Sequence, residues 1–299
     1  MTLVRDRTLE LPHLRLGARE WGPEDGEPVL ALHGWLDNAA SFDRLAPLLP
    51  ELHMVAVDLS GHGLSDHHPA GAGFHFTDWL PEVAAAADAL GWRRFAILGH
   101  SMGAGIASLM PAVFPERIER VVLLEGAGPI SAAPEEAPGR FASALEDERR
   151  LAAAPRRFFP DLETAVAARA RDTELDLESA RLLVKRGIVE EAEGLRFTFD
   201  RRLKTPSRVR LTEEQVLAFL AATPCPVLAV RASEGWPFPE DIVAARLATI
   251  PSLERAEVEG GHHVHLTHPE RVASLIRSFF SRSSRDELPE SSGSQHPIF

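Results

Sequence analysis

The chain has 299 residues, of which 44% are apolar, with a formal net charge of −12 and one cysteine, Cys225. That length can build one large hydrophobic core or two modest ones. A single cysteine excludes disulfide frameworks and cysteine-based metal sites, and the negative charge disfavours nucleic acid and anionic lipid as partners. No apolar run is long enough for a membrane span, and the charged residues 5–7 argue against a signal peptide. We therefore expect a cytoplasmic protein, of an oligomeric state that the sequence leaves open.

The first part of the chain alternates apolar runs, which are typical of buried parallel strands, with helical segments. The predicted strands are residues 8–11, 14–16, 28–32, 54–57, 95–98 and 121–124. The predicted helices are residues 77–91 and 102–114. Strands that alternate with helices predict an α/β fold with a mostly parallel, doubly wound sheet and right-handed crossovers.

This alternation stops at residue 127. Helical segments without buried strands are predicted next, at residues 141–153, 161–171, 176–190 and 212–222. The sheet pattern then resumes, with strands at 226–230 and 253–258 and helices at 239–249 and 269–280. These boundaries predict a core of residues 1–127 and 223–280, with a helical lid, residues 128–222, over the carboxyl ends of the strands. Residues 281–299, rich in Ser, Glu and Pro, are predicted to be a disordered tail.

A Gly-x-Ser-x-Gly motif, Gly99 to Gly103, joins the apolar run at 95–98 to the helix that follows. In this strand–turn–helix context the motif is a nucleophile elbow, with Ser101 at the tip of a sharp turn. The two glycines leave room where side chains would clash. The N-terminus of the following helix favours developing negative charge. The motif therefore predicts that Ser101 is a catalytic nucleophile.

Four segments resemble those of the α/β-hydrolase superfamily in order and spacing: residues 33–35, 58–65, 99–103 and 261–262. Within that superfamily the chain is most similar to the serine hydrolase-like proteins, on three segments: residues 33–38, 61–65 and 261–265. The resemblance to the superfamily extends over nearly the whole length of the chain that is expected to be ordered. It implies an α/β-hydrolase fold with a lid inserted between two strands.

A serine hydroxyl is a weak nucleophile unless an imidazole within hydrogen-bond distance takes its proton. His262 lies on a Gly-Gly turn after the last predicted strand, as the Ser…acid…His order of this fold requires, and is the predicted base. A metal site is the alternative use of this segment, since His263, His265 and His268 crowd it. The segment lacks carboxylates at ligand spacing, so we expect no metal. His265 and His268 are instead expected to be exposed or hydrogen-bonded residues at a helix start.

The oxyanion hole is predicted to consist of two backbone N–H groups, those of Met102 and Trp35. Met102 directly follows the nucleophile, and Trp35 lies in the turn after the first buried strand. His33 is expected to hold that turn by hydrogen bonding. His100, beside the nucleophile, is expected to support the elbow.

The acid departs from the commonest family pattern. Most α/β-hydrolases carry it after the strand that here is residues 226–230, but this chain has Gly235 where that aspartate would fall. Glu234 is one position away, and its side chain should point elsewhere. Glu125 ends the apolar run at 121–124, where an unpaired charge is costly to bury. One branch of the haloalkane dehalogenases and the serine hydrolase-like proteins resemble the chain in having an acid there. Glu125 is therefore the predicted acid, and Glu234 the alternative.

These residues predict a serine hydrolase that cleaves a small to medium ester, thioester or related acyl compound through a Ser101 acyl-enzyme, without a cofactor. Serine at the elbow excludes routes that use an aspartate nucleophile. A carbon–carbon bond hydrolase or a cofactor-free perhydrolase would use the same three groups. A non-catalytic binding protein with a hydrolase fold is the alternative from another class. The substrate itself is set by lid and pocket, which motifs do not specify.

Overall fold

A computed structural model describes residues 4–173 and 175–282 of the chain. The strands are β1 (Arg5–Glu10), β2 (Arg15–Trp21), β3 (Glu27–Leu32), β4 (Leu52–Val57), β5 (Phe95–His100), β6 (Ile118–Leu124), β7 (Ile188–Glu191), β8 (Gly194–Phe197), β9 (Val227–Glu234) and β10 (Leu253–Gly261). The α-helices are α1 (Trp79–Ala89), α2 (Met102–Val113), α3 (Ala137–Ala153), α4 (Leu162–Thr173), α5 (Leu177–Arg186), α6 (Glu213–Ala221), α7 (Glu240–Thr249), α8 (Val264–Thr267) and α9 (Pro269–Ser281). None of the helices in these two ranges is both long and apolar enough to cross a membrane.

Eight strands form one sheet in the order β1-β2-β4-β3-β5-β6-β9-β10. The pairs from β4 to β10 are parallel, whereas β2 pairs antiparallel with both β1 and β4. Every residue of β4 and β5 is buried, as expected of continuous apolar runs in the middle of a parallel sheet. The predicted mostly parallel, doubly wound sheet is confirmed.

Helices cover the sheet on both sides and leave the carboxyl ends of its central strands free for a site. On one face α1 and α2 contribute Val83, Ile106 and Leu109 to the core. On the other face α9 contributes Val272 and Ile276. The segments that follow β3, β5, β6 and β10 therefore meet at one edge, where open α/β sheets bind their ligands.

Two predicted boundaries need comment. The helix predicted at 77–91 begins at Trp79, because residues 76–78 form a 3₁₀ turn held by a hydrogen bond from the His75 N–H to the Asp78 carboxylate. The predicted tail, residues 281–299, lies outside the described residues except for its first two, and Ser281 is the last residue of α9.

The segment between β6 and β9, residues 125–226, is called the insert below. It contains α3 to α6, but the prediction of a helix over 176–190 is wrong. That helix ends at Arg186, and the N–H of Gly187 donates to carbonyls of its last turn. Glycine commonly ends helices in this way. The chain then forms an antiparallel hairpin of β7 and β8, so the insert combines helices with a small sheet.

Two buried arginines attach the insert to the carboxyl edge of the main sheet. Arg186, at the end of α5, donates from Nε to both carboxylate oxygens of Asp58, at 3.0 and 3.1 Å. Arg169, in α4, pairs with Asp37. Both carboxylates are almost completely buried. Removing one partner of such a pair costs about 3–5 kcal/mol, because the remaining charge stays buried. The insert is therefore firmly held against the sheet.

Candidate active site

Ser101 stands between the end of β5 and the start of α2 in strained backbone geometry, with φ 53° and ψ −113°. A Cβ on Gly99 would lie 2.2 Å from the carbonyl oxygen of Gly103. A Cβ on Gly103 would lie 2.1 Å from the carbonyl oxygen of Leu32. Both glycines of the motif are thus required by the close packing of this turn. A non-glycine residue at positive φ costs on the order of 1–3 kcal/mol, and such strain is concentrated at functional sites.

His262 directly follows β10 and faces the serine. Its Nε2 lies 2.9 Å from Oγ of Ser101. The backbone carbonyl of His262 accepts a hydrogen bond from Nε2 of His100 at 2.9 Å. The sequence predicts that His100 supports the elbow, and through this hydrogen bond it supports the loop of His262. The loop that carries the candidate base is held by the strand that carries the candidate nucleophile.

Glu125, the first residue after β6, also has a positive φ, 57°. Its Oε2 lies 3.1 Å from Nδ1 of His262. Two backbone N–H groups also donate to this carboxylate, Ala232 to Oε1 at 2.6 Å and Trp236 to Oε2 at 3.1 Å. A hydrogen bond from Nδ1–H to Glu125 leaves Nε2 as the acceptor that a serine proton needs. The structure thus brings Ser101, His262 and Glu125 into one hydrogen-bonded series.

The alternative acid lies elsewhere. Glu234 ends β9 with an exposed side chain, and among the described residues it makes no side-chain contact with His262. The neighbouring Gly235 explains the exchange of positions. A Cβ on Gly235 would lie 2.1 Å from Oε2 of Glu125, so a side chain there would displace that carboxylate. The position of the Glu125 carboxylate therefore depends on a glycine at position 235.

The turn after β3 carries the predicted oxyanion donor Trp35. His33 holds this turn as expected, since its Nδ1 lies 2.7 Å from the Gly34 carbonyl and its Nε2 accepts from the Leu59 N–H at 3.0 Å. Leu36 has a positive φ of 59°. Within residues 4–173 and 175–282, the N–H groups of Trp35 and Met102 donate to no acceptor. Both donors are thus available to a ligand.

Two tryptophans give the surface around the site an apolar character. Trp35 is 51% exposed and Trp236 is 63% exposed. The Trp236 ring lies 5.7 Å from the His262 ring, and the Trp35 indole donates to the carbonyl of Leu203 in the insert at 2.9 Å. Exposed aromatic side chains beside such a group of polar residues are suited to an apolar part of a small ligand.

A group that sequence reasoning missed is Asp37. Its Oδ2 lies 3.3 Å from Nε2 of His263 and 3.8 Å from Nδ1 of His100. The expectation that the histidine segment lacks a neighbouring carboxylate is therefore wrong. The signal was present in the chain, because Asp37 follows a buried strand and so lies at the same sheet edge as the loop of His262.

Burial and neighbouring charges shift the pKa of Asp37 in opposite directions. Burial alone would raise the pKa of Asp37, but His263, through its charge and hydrogen bond, and the charge of Arg169 hold it well below its usual range. Burial, together with the charges of three neighbouring histidines, lowers the pKa of His100 well below its usual range. An ionised carboxylate therefore lies beside a neutral imidazole.

Buried histidines make the fold sensitive to acid. Burial lowers the pKa of His62 and of His265 from 6.5 to about 3. In the unfolded chain these groups take up protons below about pH 6.5, whereas in the folded chain they do so only near pH 3, so protonation favours unfolding. Each adds up to about 1.4 kcal/mol per pH unit to this effect. We expect the free energy of unfolding, measured by urea titration, to fall as pH falls through the window from about 6.5 towards 3.

The matched variant for this prediction is His62→Phe, which keeps an aromatic ring beside His33 and removes one titrating group. Its unfolding free energy should depend less steeply on pH than that of the wild type, by about one proton between the folded and unfolded states. Equal slopes in the two proteins would show that His62 is not held neutral by the fold.

His265 and His268 occupy the places expected of residues at helix starts. His265 is fully buried, and its Nε2 lies 2.8 Å from Oγ of Ser41. His268 precedes α9, and its Nδ1 lies 3.0 Å from Oγ1 of Thr267. Each therefore has a structural partner on one ring nitrogen.

Comparison with known proteins shows which family the chain resembles. The family model described as alpha/beta hydrolase fold matches residues 27–269. A serine hydrolase-like protein of Danio rerio is 34% identical over 96% of this chain and 91% of its own length. Serine hydrolase-like protein 2 of Homo sapiens is 31% identical over 93% of this chain and 94% of its own length. The crystal structure of a hypothetical protein from Pseudomonas aeruginosa PAO1 superposes with a TM-score of 0.87 at 41% identity, over 93% of this chain and 99% of that one.

Proposed function

The chain belongs to the alpha/beta hydrolase fold family and is a hydrolase of the serine hydrolase-like group, and on that premise we propose a specific chemistry for it. It cleaves a small to medium ester, thioester or related acyl compound through an acyl-enzyme on Ser101. The observation that carries the proposal is the hydrogen-bonded series of Ser101, His262 and Glu125, with separations of 2.9 and 3.1 Å.

In the proposed reaction, Oγ of Ser101 attacks the carbonyl carbon of the substrate while Nε2 of His262 takes its proton. The resulting imidazolium is stabilised by Glu125 at Nδ1, and it returns the proton to the leaving group as the carbonyl re-forms. The N–H groups of Trp35 and Met102 donate to the oxyanion of the tetrahedral intermediate. Water then repeats the sequence on the acyl-enzyme and releases the acid. No step needs a cofactor.

We assign the insert the role of the wall that limits the acyl site. Its Leu203 carbonyl holds the Trp35 indole, so the insert positions a side chain beside the proposed oxyanion hole. Because the exposed rings of Trp35 and Trp236 are the apolar surface near His262, we expect a preference for substrates with an apolar acyl or alcohol group.

The test has two arms. The first is labelling of the full chain by a fluorophosphonate probe, which reacts with a serine only where a base activates it. The second is a chain-length series of nitrophenyl esters, measured beside matched thioesters, from which kcat/KM is compared. We expect labelling at Ser101 and a clear optimum of chain length in one of the two series.

Each alternative function gives a different result in these arms. Absence of labelling in a correctly folded chain would indicate a non-catalytic binding protein. Labelling without turnover of either series would redirect the search to carbon–carbon bond cleavage of diketone-type compounds, or to perhydrolysis with peroxide as the acyl acceptor. Both outcomes contradict the proposed ester or thioester hydrolysis.

A further inference from the structure

Three buried side chains with metal-ligand chemistry meet behind the site that contains Ser101. Asp37 follows β3, His100 is the last residue of β5, and His263 follows the loop after β10. One ligand atom from each lies within 4.8 Å of the other two. The closest pair, Oδ2 of Asp37 and Nε2 of His263, is 3.3 Å apart, and the same oxygen lies 3.8 Å from Nδ1 of His100. Three separate segments therefore converge on one point.

The hydrogen bonding of His100 leaves one ring nitrogen unused at this point. Its Nε2–H donates to the carbonyl of His262, which assigns the lone pair of the neutral ring to Nδ1. That nitrogen is buried and has no hydrogen-bond partner among the described residues. It lies 3.8 Å from Oδ2 of Asp37, which accepts from Nε2–H of His263. A cation that replaced that proton would bind the carboxylate and the unpartnered Nδ1 lone pair together.

Space for such a group is provided by Gly34. A Cβ on Gly34 would lie 2.9 Å from Nδ1 of His100 and 3.2 Å from Oδ2 of Asp37. Any other residue at position 34 would therefore crowd the gap between these two atoms. The glycine keeps the ligand atoms accessible to each other and to an ion.

Two of the three side chains, those of Asp37 and His100, are also held as ligands usually are, through their other polar atoms. Arg169 pairs with Oδ1 of Asp37, which directs Oδ2 towards the two histidines. His100 is oriented by its hydrogen bond to the His262 carbonyl. In metal sites, such outer hydrogen bonds fix the tautomer and orientation of the ligating groups.

We infer that Asp37, His100 and His263 form a binding site for one divalent transition-metal ion of the Zn²⁺ class. Two imidazole nitrogens and a carboxylate suit Zn²⁺, Co²⁺ or Ni²⁺, whereas Mg²⁺ and Ca²⁺ prefer oxygen ligands alone. Bonds of about 2.0–2.1 Å in a tetrahedron separate neighbouring ligand atoms by roughly 3.3 Å. The separation of Asp37 and His263 already has that value, the separation of Asp37 and His100 is longer, at 3.8 Å, and water would complete the fourth position.

This site is distinct from the proposed catalytic groups, since neither Ser101 nor the His262 side chain belongs to it. Its test is therefore independent of any hydrolytic activity. The full chain is equilibrated with Co²⁺ over long times, because the ligands are buried, and binding is followed by the visible absorption of tetrahedral Co²⁺ and by metal analysis after gel filtration. We expect equimolar, saturable binding and displacement by Zn²⁺.

Variants assign the ligands. Asp37→Asn and His263→Gln should each weaken Co²⁺ binding by at least about tenfold, the lower end of what even an outer hydrogen bond contributes. His262→Gln is the matched control, because it removes the adjacent histidine and keeps the carbonyl that holds His100. It should bind Co²⁺ as the wild type does. If Asp37→Asn does not fold, His263→Gln alone carries the comparison.

The inference is overturned by absence of equimolar binding, by unchanged affinity in Asp37→Asn and His263→Gln, or by loss of binding in His262→Gln alone.

Discussion

Replacing Ser101 with alanine is expected to lower kcat by about 10⁶, because the loss of the nucleophile in such a unit removes covalent catalysis entirely. What remains is the modest acceleration from the oxyanion donors and from binding. The fold should be unaffected, since alanine has about the same backbone demands as serine at φ 53° and the hydrogen bond of the Ser101 hydroxyl within the described part of the chain is to His262. The measurement is steady-state hydrolysis of the best ester or thioester, with thermal unfolding recorded beside it.

The matched control is Ser108→Ala, seven residues further along the same chain and within α2. Ser108 is buried and donates to the carbonyl of Gly105, with no contact to His262. Its variant should retain kcat within about tenfold of the wild type. Activity of Ser101→Ala within that same range would contradict the whole assignment, because no other described serine Oγ lies within hydrogen-bond distance of His262.

Replacing Glu125 with glutamine is expected to lower kcat by about 10³ to 10⁴, the usual effect of removing a triad acid. Glutamine keeps the size of the side chain and can still accept from the Ala232 N–H. It has no negative charge to stabilise the imidazolium of His262, and its amide can favour the wrong tautomer of the ring. KM should change much less than kcat, because in the proposed reaction Glu125 acts on His262 and not on the substrate.

Glu234→Gln is the matched comparison for this variant, since it makes the same chemical change one position before Gly235. Its kcat should stay close to the wild-type value, because the Glu234 side chain is exposed at the end of β9. If Glu234→Gln were the impaired variant and Glu125→Gln the active one, the acid would have to be reassigned to Glu234.

The residues around Ser101 could be found from the sequence because their constraints are local. The elbow consists of five consecutive residues, and Gly99 avoids a clash with the backbone of Gly103 in the same turn. Glu125 could be found for a related reason: a carboxylate that ends a buried apolar strand needs a partner nearby. The absence of an acid at Gly235 was the second clue, and the packing of Gly235 against Glu125 shows how the two are connected.

The insert could be predicted only in outline. Its position followed from the interruption of the strand pattern, but the hairpin of β7 and β8 did not, because residues 188–191 contain good helix formers and only Gly187 marks the end of α5. The arginine partners of Asp37 and Asp58 could also not be predicted from the neighbouring sequence. Arg169 and Arg186 lie 132 and 128 residues away from them, and no sequence period links such distant positions.

The two buried pairs have a consequence for inheritance and for protein engineering. Asp37 and Asp58 lie in the first part of the chain, whereas Arg169 and Arg186 lie in the insert. Each pair stabilises the fold only when both of its members are present. If the insert were exchanged for one that lacks either arginine, the aspartate that pairs with that arginine would therefore be left buried without a partner. The natural unit of exchange is the insert together with these two distant aspartates, so new specificities should arise more readily by substitution within the insert than by recombination of it.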